Sequence, residues 1–174
     1  MATAAPPRTT TITLERRTRL AATAATVWRH ATTPDGINDE FQPWMRMTVP
    51  RRLRAMSLDD VELGVRVCRS WVLVLGVVPF EYDDLVLVER GPGFRFLERS
   101  ATLTATTWQH ERTVVPRGSS CELADRVDAE IRPAIAGVPG AANVFGSVVR
   151  AIFAHRHRRL VAMHGGAATR ATPT

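Results

Sequence analysis

The sequence predicts an α+β domain in which a curved seven-stranded antiparallel sheet wraps one long C-terminal helix. Two short helices follow the first strand. Three observations lead to this fold class. Residues 65–132 contain five strand-like segments in succession, joined by turn sequence, and read as a meander of hairpins. Residues 141–164 change to helical spacing, with Phe145, Val148, Val149, Ile152, Arg156, Leu160 and Met163 on one face. Only this one long helix is available, so it alone must cover a face of the sheet.

In chain order, ITLERRTRLAA (12–22) alternates from Ile12 and Leu14 to Leu20 and reads as the first strand. In the segment that follows, Thr23 or Thr26 can cap a short helix over Val27, Trp28 and Ala31. Pro34-Asp35-Gly36 is turn chemistry, and a second short helix or turn follows near 35–41. WMRMTV (44–49) alternates as the second strand. The charged, proline-led stretch 50–64 reads as a loop with a helical turn, long enough to form a lid. Its PRRLR run could meet an acidic ligand or a membrane surface; a plain solvated loop is the simpler expectation. The remaining strands are 65–76, 78–90, 94–101, 104–115 and 120–132. Pro133 to Pro139 ends the strand pattern. GVPG at 137–140 is a hinge into the helix, because no Gly-Lys-Ser/Thr follows to make a phosphate loop.

A chain of 174 residues suits one domain, expected over 10–164 with flexible tails at 1–9 and 165–174. Apolar residues make up 45% and charged residues 23%, an ordinary globular composition. The longest apolar run, WVLVLGVVPF at 71–80, is about half a membrane span. The N-terminus lacks an apolar signal core, so a cytoplasmic location is expected. Cys68 and Cys121 are isolated, and each is expected to act as a small hydrophobe. The net charge of +6 comes from arginine alone, since the chain has no lysine. Its clusters, RRTR (16–19), RRLR (51–54) and RHRR (156–159), are expected to be solvated faces. The aromatics occupy core-type positions, so nucleic acid is not an expected partner.

Three segments carry a family resemblance: TAATVWRHATTPDGIN, WQHERTVVPRGSSCELADRV and FAHRHRRLVAM. With the element order, they resemble the START-like superfamily, also called helix-grip, SRPBCC, Bet v 1-like or polyketide cyclase/dehydrase. The resemblance covers roughly residues 12–164. It implies a helix-grip fold whose sheet cannot close tightly on the helix, which leaves a ligand cavity between them. The iron-binding relatives use a His/His/carboxylate set, which is not found here, so no cofactor and no metal are expected.

Strand alternation assigns the cavity wall. In TATTWQHERTVV the even positions Thr106, Trp108, His110, Arg112 and Val114 share a face, expected to be the concave one. The same alternation puts Phe94, Phe96 and Glu98 on one side of 94–101, and Cys121, Leu123, Asp125 and Val127 on one side of 120–132. For 78–90 the expected inner set is Phe80, Tyr82 and Asp84, with Glu81, Asp83, Leu85 and Leu87 outside. Trp71 is a further candidate, with the inward face of 65–76 left open. The helix contributes Phe145, Val149 and Ile152.

Buried charges need partners. If the last hairpin turns near Gly118, Arg112 faces the stretch Glu122–Asp125, and an Arg112–Asp125 ion pair follows. His110 beside Glu98 or Asp84 would titrate near neutral pH. The catalytic expectation uses His110 as acid/base and Arg112 to polarise a carbonyl, with Asp125 or Glu98 orienting them. The alternative is a satisfied ion pair and histidine in a passive pocket. His155 and His157 point to different helix faces and cannot share a metal; cationic groups there are expected to stabilise the helix end. The expected function is binding of a small hydrophobic or aromatic ligand, by a monomer or homodimer. Two alternatives stand beside it: a polyketide cyclase/aromatase-like enzyme using His110 and Arg112, and a protein-interaction module with a filled cavity.

Overall fold

The computed structural model describes residues 10–167. Of the tails expected at 1–9 and 165–174, residues 1–9 and 168–174 lie outside the described residues. Strand β1 (Thr10–Leu20) leads into helices α1 (Ala24–Ala31) and α2 (Pro34–Phe41), then into a short strand β2 (Met45–Met47). A loop with two 3-10 turns, Arg51–Leu53 and Leu58–Asp60, connects to β3 (Arg66–Val74). Strands β4 (Val78–Arg90), β5 (Phe94–Thr102), β6 (Ala105–Arg117) and β7 (Ser120–Ile131) complete the meander. The one-turn helix α3 (Pro133–Ala136) precedes α4 (Ala141–His164). The seven strands run β1-β7-β6-β5-β4-β3-β2 in one antiparallel sheet. This is the expected helix-grip architecture.

Local chemistry sets the element ends. Thr23 caps α1 by accepting from the Thr26 backbone N–H at 3.3 Å, and Thr33 caps α2 from Gly36 at 3.2 Å. Pro34 occupies the first turn of α2, where its missing N–H costs nothing. Gly140 enters α4 at φ 82°, a conformation that disfavours any Cβ. The β6–β7 hairpin turns at Gly118-Ser119 and puts Arg112 opposite Asp125, as the turn position predicts.

Faces follow the expected alternation on β5 and β7, and on β6 from Trp108 onward. A bulge between Ala105 and Thr107 leaves Ala105 buried and Thr106 exposed, so Thr106 is not on the inner face. On β4 the expectation is inverted: Leu87 is fully buried, while Tyr82 and Asp84 lie on the outer face. Trp71 and Tyr82 are opposite each other in the register and pack edge-to-face at 5.6 Å. Arg69 stacks over Tyr82 and bonds Asp84 through Nε at 2.8 Å. The outer face thus satisfies these aromatics by cross-strand pairing, without the core.

Packing between sheet and helix is unequal. At the α1 end, Leu20, Val27, Trp28, Leu87, Leu123 and Leu160 close into a dense core. Toward the N-terminal half of α4 the buried cluster is only Val127, Val149 and Phe153. The loop between β2 and β3 folds down on the domain: Trp28 Nε1 donates to Asp59 at 3.1 Å, and Leu58 N–H donates to the Thr32 carbonyl at 2.9 Å. The part of the expected C-terminal tail that is described is tied to β1: Ala21 N–H donates to Gly165 at 3.0 Å and Gly166 bridges Leu20.

Gly36 lies against the end of α1, where an added Cβ would stand 1.8 Å from the His30 carbonyl oxygen. Gly36→Ala must push the two helices apart. It is expected to destabilise the domain by about 1–3 kcal/mol, measured by urea unfolding; an unchanged midpoint would show that the α1–α2 corner is looser than this geometry requires.

Candidate functional site

Where sheet and helix part, a cavity of about 650 Å³ opens between the concave face and α4. Eight expected residues line it: Phe80, Phe96, Glu98, Trp108, His110, Phe145, Val149 and Ile152. Phe153, Leu85, Val72 and Ile37 extend the apolar wall, and Leu58 reaches it from the β2–β3 loop. Phe80 sits at the rim, 44% exposed. Its neighbour Pro79 adjoins a register shift in the β3–β4 ladder.

Behind the wall lies a buried charge network. Arg112 is fully buried. It donates to Glu40 through Nη1 at 2.6 Å and Nη2 at 3.0 Å, and to Asp125 through Nε at 2.7 Å and Nη2 at 2.8 Å. Arg156 of α4 donates through Nε to the same Glu40 at 2.8 Å, its guanidinium lying 5.0 Å from the Phe41 and Phe153 ring centres. Asp125 also meets His110 Nε2 at 2.8 Å and His157 Nε2 at 2.9 Å. The second nitrogen of His157 meets the Thr18 hydroxyl at 2.6 Å. Short, bidentate, charge-assisted contacts of this kind fix geometry tightly.

The electrostatics follow from these contacts. Burial alone would raise the Asp125 pKa, but the charge and hydrogen bonds of Arg112 outweigh it and hold it well below the ordinary range. Burial acts the same way on Glu40, where the charges of Arg112 and Arg156 again win and the pKa is lowered. Burial would lower the His110 pKa; the hydrogen bond to Asp125 and the Glu98 carboxylate, 3.8 Å from Nδ1, raise it instead. Glu98 is lowered, with burial opposed by His110. Asp83 moves the other way: burial, then the neighbouring Glu98 carboxylate, pushes it well above the ordinary range. Asp83 lines the cavity beside Glu98 and His110.

Several expected wall residues stand elsewhere. Arg112 and Asp125 do form the expected ion pair, but they do not line the cavity, because their polar atoms are bonded to one another and to Glu40, His110 and His157. Phe94 packs on Trp28 at 5.8 Å instead of facing the cavity. Trp71, Tyr82 and Asp84 are on the outer face. The RHRR run is not a solvated helix end: α4 continues to His164, and Arg156 and His157 point into the interior. His155 donates through Nε2 to the Gln42 carbonyl, 2.8 Å away. Sequence reasoning missed Glu40, Asp83 and His157. Arg156 carried one usable signal, a charged residue on an otherwise apolar helix face. Among the described residues, no group of three or more His, Cys, Asp or Glu could hold a metal ion.

Removing Arg112 would leave Glu40 and Asp125 facing each other in a buried site. Arg112→Ala is expected to cost about 3–5 kcal/mol at neutral pH. The deficit should shrink as the pH falls, because protonation relieves the two carboxylates; equal deficits at acid and neutral pH would contradict the network. In the native protein, Asp125 and Glu40 have lowered pKa values. Their contribution is present above their unfolded values and lost as pH falls through the folded ones. His110 has a raised pKa, so its contribution is full below about 6.5 and lost as pH rises through the folded value. Unfolding free energies measured across this range should fall on both sides, and His110→Gln should reduce the alkaline fall, to which the raised Asp83 also contributes.

Solved structures share this fold. A START superfamily protein from Mycobacterium smegmatis superimposes with a TM-score of 0.60 at 11% identity, covering 87% of this chain and 96% of that one. The Zhui aromatase/cyclase from a Streptomyces species gives 0.65 at 14% identity, covering 88% and 93%. Norcoclaurine synthase from Thalictrum flavum gives 0.57 at 15% identity, covering 90% and 96%. Identities this low carry the fold alone. No curated protein matches the chain. Residues 18–164 match a family described as a domain of unknown function, DUF8410; the chain belongs to that family, and its fold is that of the START-like, Bet v 1-like proteins.

Proposed function

We propose that the protein binds a small hydrophobic molecule between its sheet and α4. The observation that carries this is the cavity itself: about 650 Å³, walled mainly by aliphatic and aromatic side chains with a few polar groups on one flank. Ligand sites in general have this composition and size. The opening between sheet and helix also weighs against an interaction module with a filled interior. Among the described residues, no helix is long and apolar enough to cross a membrane.

A second function has its own support. His110 reaches the cavity while Asp125 fixes its ring, and Glu98 and Asp83 stand beside it. This is an acid/base constellation, and two of the structural neighbours are named as a cyclase and a synthase. An enzyme of this design would use His110 with Glu98 or Asp83. Arg112 would act through Asp125, as a positioning residue, because its donors face carboxylates rather than the cavity.

Native mass spectrometry of protein purified from its own host, then denaturing extraction, tests the first function. A bound small molecule released on denaturation is expected; a protein that carries nothing and takes up no apolar dye would refute it. His110→Ala is expected to leave binding of that molecule within about tenfold, about 1.4 kcal/mol. Loss of its chemical conversion with binding retained would establish the enzyme instead.

A further inference from the structure

Most polar groups on the cavity wall already have partners. Glu81 accepts from the backbone N–H of Leu103 at 2.6 Å and of Thr104 at 3.3 Å, and from the Thr104 hydroxyl. Glu98 accepts from Ser100 at 2.8 Å. His110 is bonded to Asp125 and Arg156 to Glu40. Asp83 differs: its Oδ1 is buried and has no hydrogen-bond partner among the described residues. A buried acceptor left without a donor is unfavourable, so such an atom on a cavity wall points to something that supplies one.

The surrounding charges say which kind of group fits. Three carboxylates with lowered pKa values, Glu40, Glu98 and Asp125, stand against Arg112, Arg156 and the raised His110. The cluster is balanced without Asp83, whose carboxyl is pushed well above the ordinary range by burial and by the neighbouring Glu98. When protonated, an aspartic acid has one O–H to donate, here with the Glu98 carboxylate beside it, and keeps a carbonyl-type oxygen as acceptor.

We infer that Asp83 is the polar anchor of the cavity's ligand, and that this ligand is a hydrophobic alcohol, phenol or amine whose donor meets Asp83 Oδ1. The inference rests on the ligand-binding function proposed above. Oδ1 is buried in a residue that lines the cavity, and the soft carboxyl torsion lets it turn toward a bound donor. A hydrophobic acid fits poorly. Its carboxylate offers no donor at neutral pH and adds negative charge beside Glu98. The basic groups on the wall are already matched, Arg156 by Glu40 and His110 by Asp125 and Glu98.

The test is displacement of Nile red, a neutral dye without a hydrogen-bond donor, from the full chain at neutral pH. Decanol and decylamine are expected to displace it at concentrations about tenfold or more below those needed for decanoate. Asp83→Leu, with displacement referred to its own Nile red affinity, should lose that preference. Asp83→Asn should keep decanol within about threefold, because an amide copies a neutral acid. Decanoate displacing the dye as well as decanol, or a preference that survives in Asp83→Leu, overturns the anchor while leaving the cavity's function intact. Failure of Nile red to bind the native protein would sink the ligand-binding function, and the anchor with it.

Discussion

A guanidinium with no access to water, Arg112, is the constraint around which the interior is arranged. It meets Asp125 on the neighbouring strand and Glu40 at the end of α2, each through two nitrogens. Glu40 in turn holds Arg156, so α4 is tied to α2 through the same carboxylate. A buried network like this is weak evidence for net stability, since apolar residues of similar volume often do as well. Its consequence is geometric. β6, β7, α2 and α4 can take only the relative positions in which all these bonds form together.

That fixed spacing explains why the domain is dense at one end and open at the other. Near α1, large apolar residues fill the gap between sheet and helix. Past the charge network, α4 presents Phe145, Val149 and Ile152 across open space to Phe96 and Trp108. The cavity is therefore a product of the fold's unequal filling, with the charge network as its inner boundary. His110 stands on that boundary, one nitrogen on Asp125 behind the wall and the other toward Glu98 on it. Asp83 completes the polar flank from β4.

Much of this was legible in the sequence, for a reason particular to β-structure. On β5, β7 and most of β6, the alternation of apolar and polar residues assigned the inner face correctly, and a two-residue turn at Gly118 set Arg112 against Asp125. On β4 both faces carry acids and large apolar groups, so alternation was present but its sign was not. Aromatic size suggested that Tyr82 faced inward. The pairing of Tyr82 with Trp71 and Arg69 on the outside could be seen only once β3 lay beside β4. The same error hid Asp83 and Glu81 from the list of wall residues.

The sequence by itself determined the element order, the single long helix, the cap residues and the faces of the strands whose two sides differ in polarity. These depend on local periodicity and on conformational preferences of neighbouring residues, which are written in the chain directly. The tertiary structure decided which charges meet. Glu40 and Arg112 are 72 residues apart, and Glu40 and Arg156 are 116 apart. No local pattern marks Glu40 as the carboxylate that Arg112 requires, because its partnership comes from the packing of α2 over the sheet. The same packing decided that Arg112 lies behind the cavity wall and that Asp83 lies on it.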